Sequence, residues 1–220
     1  MADKILVADA SGKSVKLAML QDGSFTDGLT EASQAVESFV DALGKLCGNS
    51  FDDITAYALC VGPGSMLSTR SASAAVASIA ALTNAKLYAW DTMRVAAFAI
   101  IYGFWKGSID STTDFCVLAP SRKGFVNVLH IIDSKEYSYT EMPIEDFEKM
   151  GIAKNCCVLL DQRAVVDARL DCYVRLDLTP EEIAQTLIAN PELLEESTTP
   201  PEPKSLVKRE YVKWKAQVLI

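Results

Sequence analysis

At 220 residues, half of them hydrophobic and 23% charged, the chain can bury a core as one domain or two small ones, and its composition excludes disorder. A formal net charge of -8 excludes an autonomous grip on nucleic acid, whose phosphates are held mainly by Lys and Arg, so any RNA would be held through another subunit. A membrane span needs about 20 apolar residues, whereas the greasiest run, VAAFAIIYGFW (95–105), has 11.

The start, MADKILVADA, lacks the basic and long apolar regions of a signal peptide, and a cytoplasmic location is expected. Four of the six cysteines (Cys60, Cys116, Cys156, Cys157) sit in strand-like apolar runs, as reduced cysteine does. With no CxxC pair and a single histidine, His130, neither a metal site nor a cofactor is expected.

In chain order, KILVAD (4–9), SVKLAML (14–20) and SFTDGL (24–29) read as a three-stranded antiparallel meander with turns at 11–13 and 21–23. The period then becomes helical over 30–48, with Ala32, Ala35, Val36, Phe39, Val40, Leu43 and Leu46 on one side and Glu31, Glu37, Asp41 and Lys45 on the other. Gly48 and Asn49 are its stop residues. Next come a buried strand, ITAYALCV (54–61), a second helix (67–82) ended by Asn84, a strand KLYAW (86–90), and a third helix capped by Asp91 and Thr92.

The order β-β-β-α-β-α-β-α over the first ~105 residues is that of the ribonuclease-H-like layer, a mixed five-stranded sheet used by the actin, Hsp70 and sugar-kinase superfamily. Residues 106–195 read as a smaller α/β domain. A hairpin turns at 121–124, strands follow at 156–160 and 172–176, and a helix opens at Thr179-Pro180-Glu181-Glu182 with three start signals together. Residues 196–204 have linker composition, and the remainder to 220 is expected to dock back on the body. No internal repeat is visible.

Candidate chemistry is sparse. Asp9 ends the first strand, where enzymes of this layer keep a carboxylate, and Gly62-Pro63-Gly64-Ser65 joins a strand to a helix, where backbone N–H groups could meet an anion. Asp9, Gly62, Gly64 and Ser65 are therefore the candidates for a nucleotide or sugar-phosphate site. The competing reading is structural, with two glycines permitting a sharp turn and Ser65 capping the helix. A two-metal nuclease needs further strand-end acids, and the fourth strand ends Cys60-Val61-Gly62. An ATPase needs a second phosphate-binding hairpin, and the matching place reads LAPSRKGFV (118–126). No GxSxG elbow exists to pair with His130. The second helix carries small residues at three- and four-residue spacing, suiting either a partner helix or the sheet beneath.

Taken together, these segments resemble the TsaB (YeaZ) family of tRNA threonylcarbamoyladenosine biosynthesis. ILVADASGKSVKLAMLQDG (5–23) is similar to the family's opening hairpin, and VGPGSMLSTR (61–70) to its GPGSFTGLR signature through Gly62, Pro63, Gly64, Ser65 and Arg70. SRKGFV (121–126) matches a further motif through Arg122, Gly124 and Val126, and EPKSLV (202–207) lies at the family's Glu-Pro-x-Tyr-Leu-Arg segment. Departures fall at Met66, Leu67 and Ser68, at Pro120-Ser121, and at Ser205 and Val207.

The resemblance implies a non-catalytic subunit that pairs through its first two helices, with itself or with a catalytic TsaD-like paralogue, alongside a TsaE-like ATPase. It would meet tRNA only indirectly. The implied contact residues are Val36 and Phe39 on the first helix and Ser68, Ser71, Ala72, Ala75 and Ser78 on the second, with Gly62–Ser65 and Arg70 as the structural turn. A degenerate phosphate-binding enzyme using Asp9 and that turn is the alternative.

Overall fold

The computed structural model describes residues 3–32, 35–48, 50–107, 109, 114–161 and 167–206, with the side chains of 35–37 also outside the description. Asn49, the Val36 side chain and the tail from Val207 onward therefore lie outside the described residues.

Strands β1 (Lys4–Asp9), β2 (Val15–Gln21) and β3 (Ser24–Glu31) form the meander, followed by α1 (Ala35–Cys47), β4 (Ala56–Gly62), α2 (Met66–Thr83), β5 (Lys86–Asp91) and α3 (Thr92–Ile101). The β2–β3 turn puts Asp22 and Gly23 at φ 51° and 74°, the positive pair a two-residue hairpin demands. One boundary differs from the periodicity reading. β3 continues to Glu31, paired with Val15 of β2, so Thr30 and Glu31 belong to the strand and α1 starts later than expected.

The remainder comprises β6 (Asp114–Pro120), β7 (Phe125–Ile132), β8 (Lys135–Pro143), α4 (Ile144–Lys149), β9 (Cys157–Leu160), β10 (Val174–Leu176), α5 (Pro180–Ala189) and β11 (Glu195–Ser197). α5 starts as its three signals predict, with a reciprocal Thr179–Glu182 capping box and Pro180 in the first turn.

The first sheet has the order β11-β5-β4-β1-β2-β3, with β4 and β5 parallel to β1. This is the ribonuclease-H-like layer with one addition. The sheet has six strands rather than five, because β11, in a stretch of linker-like composition, pairs antiparallel with β5. The second sheet runs β10-β9-β6-β7-β8, again an antiparallel meander with two parallel strands on the far side of its first strand. The two sheets thus repeat one topology. The repeat is invisible in the sequence because pairing order depends on pattern and turn placement, not on residue identity.

Period-2 alternation sorts the core into layers. Leu6 and Ala8 of β1 pack with α1 and α2 on one face of the first sheet. Val7 faces a second core shared by both sheets, α3 and α5. On β6, Phe115, Val117 and Ala119 enter that shared core, whereas Cys116 and Leu118 face the outer side with Phe147 of α4. α3 is buried on nearly every side, as expected of a helix between two sheets. Trp90 anchors its start at 2% exposure, with the indole N–H donating to the Ala58 carbonyl at 3.2 Å.

Candidate functional site

The C-terminal ends of β1, β4 and β5 are where an open α/β sheet presents ligands, and both candidates from the sequence, Asp9 and the Gly62–Ser65 turn, meet there. Asp9 is 7% exposed, and its Oδ1 accepts from the Ser11 backbone N–H at 2.8 Å, shaping the β1–β2 turn. The Ser11 carbonyl in turn accepts from the Ser65 N–H at 2.8 Å. Gly64 presses so closely on this contact that a Cβ there would lie 2.4 Å from the Ser11 oxygen. Gly62 has φ 99°, precedes a cis Gly62–Pro63 bond, and donates its N–H to Cys60 Sγ at 3.4 Å. Ser65 caps α2 by accepting from Ser68 N–H. The turn therefore spends donors on its own chain, and it fixes where α2 begins. Arg70 is an exposed side chain, 3.9 Å from Glu202.

Beside Asp9, the strand ends of the two sheets face each other across a crevice of about 20 Å³. That is room for about one water molecule. Lys13 bridges to Asp161 at 2.7 Å and Lys16 pairs with Asp177, so side chains at the rim join the two sheets.

A second cluster was only partly visible in the sequence. Asp91 caps α3 as expected, with Oδ1 accepting from Met93 and Arg94 N–H at 2.9 and 3.1 Å. Its other oxygen, Oδ2, accepts from Tyr139 Oη at 2.8 Å and from Lys204 Nζ at 2.7 Å. Burial, with the Asp91 charge beside it, pushes the Tyr139 phenol well above its ordinary range. Lys204 also lies over the Tyr139 ring, 4.2 Å from its centroid, and its backbone N–H donates to the Val61 carbonyl at 2.7 Å. Ser73 of α2 donates to the Pro201 carbonyl at 2.8 Å. Residues 195–204 thus form a strap from the β5 edge across the strand ends. Asp91, Tyr139 and Lys204 are far apart in sequence, and the only local signal was the cap.

Below the strap, between the β5–β11 edge, α3 and the β7–β8 hairpin, lies a cleft of about 700 Å³. Arg94 stands at its mouth with Nε 2.9 Å from Glu136. His130 points to the other face of its sheet, with Nε2 2.9 Å from Asp114 and its ring edge-on to Tyr137. Arg122 covers the Phe125 ring at 3.5 Å. Among the described residues, no group of three or more His, Cys, Asp or Glu is placed to hold a metal ion. Nor is any described helix long and apolar enough to cross a membrane.

The expected contact residues divide sharply. Phe39 and Ala72 are buried at 2% and 3% in the core beneath α1 and α2. Ser68 is buried and bonded to Ser65 Oγ at 2.8 Å. Ser71 and Ala75 are half-buried and Ser78 is exposed. The outward side of the two helices also carries Leu67, Leu82 and Val40, which are 67%, 88% and 65% exposed. None of the three is among the expected contacts, although Val40 belongs to the apolar side read for the first helix, Leu67 stands at a departure from the family signature and Leu82 closes the helix.

No family model matches the sequence, and no curated protein matches it. Solved structures do. An uncharacterized protein with similarity to peptidase YEAZ from Pseudomonas aeruginosa superposes with TM-score 0.62 at 16% identity, covering 93% of this chain and 100% of that one. YeaZ from Pseudomonas aeruginosa gives TM-score 0.59 at 16% identity, covering 85% and 91%. The chain is therefore similar in fold to YeaZ over most of its length.

Proposed function

We propose that this chain is a non-catalytic partner subunit of the TsaB (YeaZ) kind, acting in tRNA threonylcarbamoyladenosine formation by pairing with itself or with a TsaD-like catalytic paralogue. The observation that carries this reading is the YeaZ-like fold over nearly the whole chain. The exposed Leu67 and Leu82 on α2 support it, because large apolar side chains on a helix are the usual material of an interface core. The filled space beside Asp9 at the end of β1 supports it as well. Asp9 is engaged in a turn, Gly62–Ser65 packs on Ser11, and a crevice of about 20 Å³ has no room for a nucleotide. The acidic chain would leave tRNA to its partners.

The test is light scattering on size-exclusion fractions of the chain alone and mixed with the TsaD-like paralogue of the same organism. A mixed complex is expected, formed at the expense of any homodimer. Two species that elute independently would overturn the reading. Micromolar ATP binding lost in Asp9→Asn would favour the phosphate-binding enzyme instead.

A further inference from the structure

The cleft of about 700 Å³ has an apolar floor, including Phe98, Leu129, Ile131 and Leu193, and a charged rim. Its size lies within the ~300–1,000 Å³ range of sites that bury a drug-sized group, which corresponds to a few side chains. Six acids line it against three bases, Arg94, Lys135 and Lys204. Two of those bases are already engaged, Arg94 by Glu136 and Lys204 by Asp91. The rim glutamates are loosely held: Glu195 lies 3.9 Å from Arg94, Glu196 3.8 Å from Lys86 and Glu202 3.9 Å from Arg70, all more than half exposed. Exposed pairs at that separation are worth little. The rim is thus negative and open to a further cation.

The chain itself carries a matching segment. Pro201, Glu202 and Lys204 line the cleft, so position 207 is only three residues beyond it, within about 11 Å of extended chain. Residues 207–220 read VKREYVKWKAQVLI, with four bases (Lys208, Arg209, Lys213, Lys215) against one acid, Glu210. Around Trp214 apolar residues and lysines alternate: Val212, Trp214 and Ala216 against Lys213 and Lys215. We propose that this segment is the cleft's occupant in cis, with Trp214 on the apolar floor and Lys213 and Lys215 at the rim glutamates. An extended run sends those two sets to opposite sides, which suits a greasy floor under an acidic rim. The strap would then continue into a plug joining the two sheets, whatever the role of the chain in tRNA modification.

The experiment uses the full chain as an equal mixture of unlabelled and ¹⁵N-labelled protein, coupled with a carbodiimide that joins lysine to carboxylate, and read by mass spectrometry. The Lys86–Glu196 link, between groups 3.8 Å apart, serves as an internal reference for an intact fold. Links from Lys213 or Lys215 to Glu192, Glu195 or Glu196 within one isotope label are expected. Trp214→Ala should lower their yield at least fivefold while the reference link persists. Links of mixed label would assign the segment to a second copy and overturn the proposal. So would tail links scattered away from the cleft, an absence of tail links beside a normal reference link, or yields indifferent to Trp214→Ala.

Discussion

The double substitution Leu67→Ala, Leu82→Ala removes the largest apolar groups from the outward side of α2, and its effect can be worked from their exposure. Each change deletes about three methylene-sized groups, worth about 0.8 kcal/mol apiece when fully buried. With 67% and 88% of these side chains available to a partner, the loss is at most about 1.6 and 2.1 kcal/mol, near 4 kcal/mol together. At about 1.4 kcal/mol per tenfold, full burial would weaken the complex several-hundred-fold, and half burial still about twentyfold. A symmetric homodimer would count each loss twice. Because both residues already face solvent, unfolding in urea should move by less than about 0.5 kcal/mol. The assay is a sedimentation titration of the homodimer or of the complex with the paralogue. A dissociation constant within threefold of the parent, with stability unchanged, would refute the assignment of this face.

Gly64→Ala should destabilise the fold by about 2–4 kcal/mol, combining the overpacking of a Cβ 2.4 Å from the Ser11 oxygen with loss of the Ser65–Ser11 hydrogen bond; a shift under about 0.5 kcal/mol in urea melts would contradict that close approach. Lys204→Met removes a charge-assisted bond to buried Asp91 and should cost about 1.5–3 kcal/mol while opening residues 198–203 to limited proteolysis; unchanged cleavage rates would mean that the strap is held elsewhere. The Asp167 carboxyl is held down at about 2 by the Arg169 side chain and backbone N–H. Its folded value lies below the unfolded value of about 3.9, so its contribution is present above that value and lost as pH falls through about 2. A carboxyl NMR titration of Asp167 with a midpoint near 4 would contradict this. Burial raises the Cys47 thiol to about 11, so labelling of Cys47 at pH 8 should lag far behind that of exposed Cys172; equal rates would refute the burial argument.

Much of the fold was legible because its elements announce themselves locally. The β2–β3 turn is written as Asp22-Gly23, α2 is framed by Ser65 and Asn84, and α5 opens with Thr179-Pro180-Glu181-Glu182. β8 was missed because its turn, Asp133-Ser134, takes φ 50° and 60° without a glycine, and because KEYSYTEMP has no apolar alternation. β11 was missed because a three-residue edge strand of Glu-Glu-Ser is specified by its partner β5 and not by its own composition. The same limit applied to the site. Asp91 looked like a cap and is one, but its second oxygen answers to Tyr139 and Lys204, 48 and 113 residues away, which no spacing rule reaches. On α2 the small-residue pattern located a helix that packs tightly. Only burial separates Ala72, turned inward, from Leu82, turned outward.

The most direct test of the partner-subunit claim is the threonylcarbamoyladenosine content of total tRNA, measured by mass spectrometry of digested nucleosides in cells with and without this chain. The account predicts a severalfold fall on deletion, restored by the parent sequence and not by Leu67→Ala, Leu82→Ala. An unchanged content in the deletion strain would contradict it.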